Sequence, residues 1–298
     1  MKQTQQIYES QKRAALSIVD LVRIHRIFKE KGWPVQDSFE DNVFENFCCL
    51  LAELEPEECD LLLKITNNFR WIREGEYVKC FSEVFQKFVD QRSFNRGKRI
   101  FLCPLLSKSD LGQTKSSVAV LYLVKAHMYA IQNKYKKQGL KIGYKNPKDL
   151  FGDKFIDSIK QDGGILCLID DFIGTGNSAE GAIDYFLEKG INPNEIVILS
   201  LTIMGEAIDR LKAKGVDVYF NELCKKGISI YEDIPQVDVD TMRKIMKKIE
   251  SKINVKDEDR FGYAASEALV RMIRTPNNTF PIYWLWHKKS NRFAPFRR

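Results

Sequence analysis

Residues 1–95 carry apolar side chains at the spacing of amphipathic helices. The first of these stretches contains Ala14, Ile18, Leu21, Ile24 and Phe28. A Gly-Trp-Pro sequence at 32–34 interrupts it, and three further stretches with the same period follow before residue 95. The pattern predicts a helical region over 1–95. Such a region could act as a packing cap, as a dimerisation element that makes a homo-oligomer, or as a partner-binding module.

After residue 95 the period changes to that of buried strands. Ile165–Ile169 is a run of five apolar residues, which is too short for a helix, and similar runs lie at 98–104 and 196–202. Each run is followed by a loop and then by helical spacing. This alternation predicts an α/β domain over 96–235, with a parallel sheet and crossover helices.

Residues 236–298 are expected to form a C-terminal extension. A basic helix opens it, a second helix is predicted to reach Arg271, and the polar sequence Thr275–Thr279 then precedes a dense aromatic cluster. A proline-stiffened polar loop held against aromatic side chains suits a lid or hood that recognises an acceptor, with Asn277 and Asn278 as candidate contacts. An extension that only packs the core is the alternative.

The sequence from 165 to 178 joins the central strand to an acidic pair and a loop of small residues. Asp170 and Asp171 follow the apolar run, and after them come Gly174, Thr175, Gly176, Asn177 and Ser178. Backbone N–H groups at a helix start lack intrahelical partners and, with the helix dipole, form a phosphate site. Glycines let the anion approach the backbone closely, and carboxylates accept hydrogen bonds from sugar hydroxyls. A phosphorylated ribose fits both halves of this pattern.

The same stretch lacks the lysine of a P-loop and the spacing of the GxGxxG dinucleotide fingerprint. It resembles instead the phosphoribosyl-diphosphate (PRPP) motif of type I phosphoribosyltransferases. The resemblance implies that Asp170 and Asp171 bind the ribose 2′- and 3′-hydroxyls and that Gly174–Ser178 bind the 5′-phosphate. It also implies Mg²⁺ carried largely by the substrate, and a glycosyltransferase that transfers or cleaves an N-glycosidic bond. No general base for that reaction is evident in the sequence.

A second loop is expected to bind pyrophosphate. In this family the loop after the first strand of the domain takes that role, with a basic residue at its tip. The corresponding loop here, 105–117, contains Ser107, Lys108, Ser109 and Lys115. The resemblance implies that Lys108 balances the charge of the leaving group, with Lys115 as a second candidate. The alternative is an exposed loop whose lysines are only solvated.

Residues 133–148 are rich in lysine and leave three interpretations open. One is a solvated charge run. The second is a mobile basic segment that closes over pyrophosphate, which the family often carries. The third is a nucleic-acid surface, because Tyr135 and Tyr144 interleave with the lysines.

The regions on either side of the α/β domain make the resemblance more specific. Helices before the α/β domain, the central motif and a tail with Gly262-Tyr263 and Thr275–Thr279 are similar to the phosphoribosyltransferase-like domains of bacterial conflict systems. Some of these domains are encoded beside retron reverse transcriptases. The resemblance implies an antiphage defence effector whose partners include nucleic acid or a reverse transcriptase. A non-catalytic module that senses nucleotides is the alternative to an enzyme.

Composition adds further expectations. The net charge of +7 suits anionic ligands. Seven cysteines without a CxxC pair indicate buried free thiols, and three widely spaced histidines form no metal-binding pattern, so we expect no metal held directly by the protein. The sequence has no long apolar run, and its start has no signal-peptide core. We therefore expect a cytoplasmic protein that does not contact a membrane.

Overall fold

The structure is a computed structural model that describes residues 16–36, 42–229, 236–285, 294–296 and 298. Its contacts form two compact units. The sheet unit is Ile72–Cys224, and the helical unit combines Met1–Trp71 with Lys225–Arg298. This grouping differs from the three consecutive segments expected from the sequence, because side chains from both ends of the chain share one hydrophobic core.

The described residues form the following helices and strands. The helices are α1 (Ile18–Lys31), α2 (Val43–Leu51), α3 (Pro56–Thr66), α4 (Tyr77–Gln91), α5 (Ser116–Ala126), α6 (Met128–Lys136), α7 (Pro147–Leu150), α8 (Asp153–Asp162), α9 (Asn177–Glu188), α10 (Gly205–Ala213) and α11 (Gln236–Lys252). The strands are β1 (Arg70–Trp71), β2 (Arg99–Pro104), β3 (Lys141–Tyr144), β4 (Ile165–Ile173), β5 (Ile196–Met204), β6 (Asp217–Cys224) and β7 (Val270–Arg271).

The sheet unit contains a five-stranded sheet in the order β3-β2-β4-β5-β6, and every neighbouring pair is parallel. This confirms the predicted α/β class with a parallel sheet. Because the five strands run in the same direction, their carboxyl ends meet at one edge. Open α/β sheets bind ligands at that edge.

The central strand β4 is buried on both faces. Leu166 and Leu168 belong to a core that also contains Ile159 of α8 and Ile183 of α9. Between them, Cys167 is fully buried as well. A strand with apolar residues on both faces needs helices on both sides of the sheet, which is why its sequence is a continuous apolar run. Truncating Leu168 to alanine would cost about 2–5 kcal/mol of stability.

Two predicted boundaries beside the central motif are wrong. The strand was expected to end at Ile169, but β4 continues to Ile173 because Phe172 still pairs with Thr202 of β5. The next helix was expected to start after Ser178, but α9 begins at Asn177. Gly176 adopts a φ of 84° and becomes the N-cap, so the helix starts directly after it. The acidic pair therefore lies inside the strand, and the loop is shorter than expected.

The helical unit has an aromatic core. Its ring contacts join Trp33, Phe47, Phe69, Trp71, Tyr283 and Phe296. Phe69 and Phe296 stack with centroids 4.8 Å apart. Aromatic residues of the C-terminal tail thus pack against residues of the first 71 positions, as the core-packing alternative for the tail expects. Of the predicted first helix, Ala14 lies outside the described residues.

The helix predicted to reach Arg271 is wrong. Non-glycine residues in this stretch take left-handed φ angles, namely Phe261, Ala264, Ala265 and Glu267. Gly262 faces the backbone of Asn278 so closely that a Cβ there would lie 2.0 Å from the carbonyl oxygen. The buried Glu267 carboxylate accepts hydrogen bonds from the N–H groups of Ile228 and Ser229, which fixes the turn. The hydrophobic periodicity of a segment does not reveal contacts with residues far away in the sequence.

All seven cysteines are buried and none of them belongs to a disulfide, which confirms the expected buried thiols. Burial raises the pKa of the Cys59 thiol to about 11. In the parts of the chain that the structure describes, no helix combines the length and the apolar character needed to cross a membrane.

Candidate functional site

Asp171 is held in place by a tyrosine from a distant part of the chain. It is 3% exposed, and its Oδ2 accepts a hydrogen bond of 2.9 Å from the hydroxyl of Tyr77, the first residue of α4. Its Oδ1 accepts the N–H of Phe172 at 2.9 Å. Tyr77 is itself fully buried at 1% exposure. Both carboxylate oxygens are therefore engaged before any ligand arrives.

Asp170 precedes Asp171 in β4 and is only half-buried. Its Oδ1 accepts the hydroxyl of Ser116 at 3.2 Å and the N–H of Asp171 at 2.9 Å. Burial, together with the neighbouring carboxyl of Asp171, raises the pKa of Asp170 well above its ordinary value. Ser116 is the first residue of α5, so the start of that helix lies beside the acid.

The loop after β4 turns tightly into α9. Gly176 has a φ of 84°, and a Cβ at this position would lie 3.3 Å from the Cα of Ala207 and from the Cδ of Arg210. Gly174 is buried, Thr175 is half-buried, and the helix-start residues Asn177 and Ser178 are exposed. The first-turn N–H groups of α9 have no intrahelical partner, which makes this helix start suited to an anion.

The predicted pyrophosphate loop is closed by Asp110, a residue that sequence reasoning did not single out. The Asp110 carboxylate accepts the N–H and the hydroxyl of Ser107, at 2.9 and 2.8 Å, and pairs with Lys115 at 2.6 Å. Burial acts to raise the pKa of Asp110, but these partners outweigh it and lower the pKa below the usual value. Lys115 is thus already neutralised, whereas Lys108 and Ser109 are exposed.

Asn277 and Asn278 belong to the helical unit, whereas the other predicted site residues belong to the sheet unit. Asn278 is 8% exposed, and its side-chain amide donates to the hydroxyl of Ser266 at 3.1 Å. The carbonyl of Asn277 accepts the N–H of Tyr263 at 2.8 Å. These contacts stabilise the turn that contains Gly262, and a role in substrate binding stays a prediction.

Besides Asp110, sequence reasoning missed three residues that lie beside the predicted site. Tyr77 contacts Asp171 across 94 positions of sequence, and no local pattern marks it. Ser116 fell within the predicted loop 105–117, but in the structure it is the first residue of α5. Arg210 lies against Gly176 and forms an ion pair of 3.1 Å with Glu180 of α9. It brings a cation close to the helix start, although no motif includes it.

Among the described residues, no group of three or more His, Cys, Asp or Glu side chains is arranged to hold a metal ion. The acidic pair nevertheless offers carboxylate oxygens, the hard donors that Mg²⁺ prefers. These residues fit an ion that takes most of its other ligands from a substrate and from water.

A parallel sheet with an acidic pair and a glycine loop at its carboxyl edge is the arrangement of a phosphoribosyltransferase-like protein. The family model named PRTase-CE matches residues 44–298, so the chain belongs to the PRTase-CE family. This confirms the phosphoribosyltransferase-like class expected from the central motif. No curated protein matches the chain.

Proposed function

We propose that the carboxyl edge of the sheet unit binds PRPP or a related ribose phosphate together with Mg²⁺. The observation that carries the proposal is the position of Asp170 and Asp171 beside the Gly174–Ser178 loop. The hydroxyl of Ser116 in α5 donates to Asp170, and the hydroxyl of Tyr77 in α4 donates to Asp171. Fixed carboxylates complement sugar hydroxyls, and the helix-start N–H groups complement a phosphate. Ligand classes without both features would leave half of the site unused.

The two acids take different roles in this proposal. Both carboxylate oxygens of Asp171 already accept hydrogen bonds, and the side chain is almost fully buried. We therefore assign Asp171 to positioning Asp170 and not to direct contact with the ribose. Asp170 is more exposed, and it is the acid that we assign to the ribose hydroxyls. The resemblance alone would treat both acids as direct ligands.

The proposed reaction is that of a glycosyltransferase of the phosphoribosyltransferase type. The bond from the anomeric carbon to pyrophosphate breaks, its electron pair leaves with pyrophosphate, and a nitrogen nucleophile forms the new N-glycosidic bond. The carboxylates favour the positive charge that develops on the sugar, and the exposed Lys108 balances the leaving group. Mg²⁺, when bound with the substrate, would neutralise further phosphate charge.

Calorimetric titration of PRPP with Mg²⁺ tests the binding step. Asp170→Asn/Asp171→Asn removes the charge of the acid assigned to the ribose hydroxyls and of the acid beside it, and it should weaken binding more than about 100-fold. The matched control is Asp157→Asn/Asp209→Asn, which makes the same change of net charge at exposed helix positions. It should bind like the wild type. Wild-type protein that does not bind PRPP at millimolar concentration would refute the proposal.

One observation favours a second candidate, a module that binds nucleotides without turning them over. Asp110 places a carboxylate in the loop expected to bind pyrophosphate, and this carboxylate forms an ion pair of 2.6 Å with Lys115. A carboxylate there repels pyrophosphate and reduces the positive charge available to the leaving group. Binding of PRPP without release of pyrophosphate in the presence of any nucleobase would favour this candidate over the enzyme.

The expected role in antiphage defence, with a retron reverse transcriptase as partner, rests on the resemblance and stays a prediction. Phage challenge of cells that express the wild type or the Asp170→Asn/Asp171→Asn variant would test it. Protection that depends on the acidic pair would connect defence to the proposed site, and equal plaque counts with and without the wild type would argue against a defence role.

A further inference from the structure

A concave surface lies at the end of the sheet opposite to the acidic pair. It is an open groove of about 530 Å³ formed by the starts of β2 and β3 and by α6. Its lining includes Arg99, Tyr129, Gln132, Asn133, Lys136 and Lys141. We call it the cationic groove. Its volume lies within the range of ordinary ligand sites.

The cationic groove is separate from the acidic pair. Lys141 pairs with Arg99 in register, at the amino end of the sheet, whereas Pro104 pairs with Ile169, the residue before Asp170. Six positions along the strands separate the levels of Arg99 and Asp170, which is roughly 20 Å at the rise of a parallel strand. A pyrophosphate bound beside the acids is therefore out of reach of Lys136 and Lys141.

The charged side chains that line the groove, Arg99, Lys136 and Lys141, are all cationic. From Leu111 to Lys148 the sequence contains eight lysines and neither aspartate nor glutamate, so this segment alone exceeds the net charge of +7 of the whole chain. Asp162 of α8 forms an ion pair with Arg99, which leaves the lysines uncompensated within the lining. A surface of this kind attracts a polyanion.

The segment from Leu111 to Lys148 also exposes two large aromatic side chains. Tyr129 lines the groove and is 79% exposed, and Tyr122 of the preceding helix is 74% exposed. Exposed rings beside cations are the arrangement by which proteins bind single-stranded nucleic acid, since the cations follow the backbone and the rings stack on bases.

We propose that the cationic groove binds single-stranded nucleic acid. A duplex hides the faces of its bases and would leave Tyr129 without a stacking partner, so the rings favour a single strand. The side-chain amide of Asn133 adds a group that can contact base edges, whereas the amide of Gln132 donates to the carbonyl of Ile142 at 2.7 Å and helps to fix the groove wall. This activity goes beyond the proposed ribose-phosphate site and does not depend on it.

Fluorescence anisotropy with labelled dT20 and, separately, rU20 tests the proposal on the full chain. Lys136→Glu/Lys141→Glu should weaken binding at least about 10-fold near 0.1 M salt. Because each phosphate contact on a single strand contributes a slope of about 0.7, the plot of log affinity against log salt should become shallower by about 1.4. Tyr129→Ala should cost about 10-fold, since the loss of one stacking ring has that size.

The matched control is Lys212→Glu/Lys244→Glu, which makes the same change of net charge at exposed positions outside the groove. It should alter affinity by about twofold or less. Three results would overturn the proposal: no binding by the wild type at about 50 mM salt, equal losses in the groove and control variants, or competition by dTMP as strong as that by unlabelled dT20 at equal phosphate concentration. The last result would indicate a site for mononucleotides.

Discussion

The two ends of one parallel sheet present opposite chemistry. At the carboxyl end, Asp171 is buried and Asp170 is half-buried, and a hydroxyl group fixes each of them. At the amino end, Lys136, Lys141 and a tyrosine ring face solvent. Groups fixed in advance suit one small ligand of defined shape, because little ordering remains when the ligand binds. An open row of cations suits a repeating polyanion, for which charge density matters more than precise geometry.

The largest effect is expected from closing the loop at the carboxyl end. Gly176→Val places a branched side chain where φ is 84° and where its Cβ would lie only 3.3 Å from atoms of Ala207 and Arg210. We expect loss of ribose 5-phosphate binding by more than about 100-fold and a stability loss of about 1–3 kcal/mol, from strain and overpacking. Calorimetry and urea unfolding measure the two effects. Gly181→Ala, in the same helix with open space around it, is the control. It should leave binding unchanged and should raise stability by about 0.5–1 kcal/mol, because alanine is the better helix former.

The next effect concerns the contact that holds Asp171. Tyr77→Phe removes the hydroxyl and leaves a carboxylate oxygen buried without that donor. The expected cost is about 2 kcal/mol in the free energy of unfolding, and PRPP affinity should fall with it. Tyr122→Phe removes a hydroxyl from a ring that is 74% exposed and should have no effect on either quantity. If both variants unfold at the same urea concentration as the wild type, the Tyr77 hydroxyl does not hold the acid.

The smallest effect is a gain of stability. Asp170→Asn keeps an oxygen that can accept the N–H of Asp171 and the hydroxyl of Ser116, but it removes a buried charge beside Asp171. Because the pKa of Asp170 is raised in the folded state, the folded protein binds the proton more tightly than the unfolded chain does. Wild-type stability should therefore fall as the pH rises from the unfolded pKa of about 3.9 through the folded pKa.

The variant should lack this fall, and it should be more stable than the wild type at neutral pH by about 1 kcal/mol, the usual size of single-site effects. Thermal unfolding measured across the acid to neutral range compares the two proteins. A variant that is less stable than the wild type throughout would show that the ionised Asp170 contributes to the fold.

The hydrophobic pattern of the sequence correctly predicted the strands and the loop whose structure depends on nearby residues. The apolar runs at 165–169 and 196–202 became β4 and β5, because a strand covered on both faces must be apolar throughout. The glycine loop was found because its conformation depends on Gly176 itself. By contrast, the contact of Tyr77 with Asp171 depends on how α4 packs on the sheet, and nothing in the sequence around either residue encodes it.

The tail shows the same limit. Its helix-like spacing before Arg271 gave a wrong helix for two reasons. Gly262 must pass within contact distance of the Asn278 backbone, and Glu267 accepts hydrogen bonds from two backbone N–H groups far away in sequence. These tertiary interactions override the local preference. The lysine-rich segment was open to three interpretations for a related reason, since its concave shape exists only after β3 has paired with β2.

A crossover titration tests the central claim, that the two ends of the sheet bind different ligands independently. PRPP with Mg²⁺ and labelled dT20 are each titrated into the wild type, Asp170→Asn/Asp171→Asn and Lys136→Glu/Lys141→Glu. We predict that the acid variant loses PRPP and the groove variant loses dT20, while each keeps the other ligand within about twofold, as expected for distant sites. A variant that loses both ligands, or a pair of variants that lose neither, would contradict the claim.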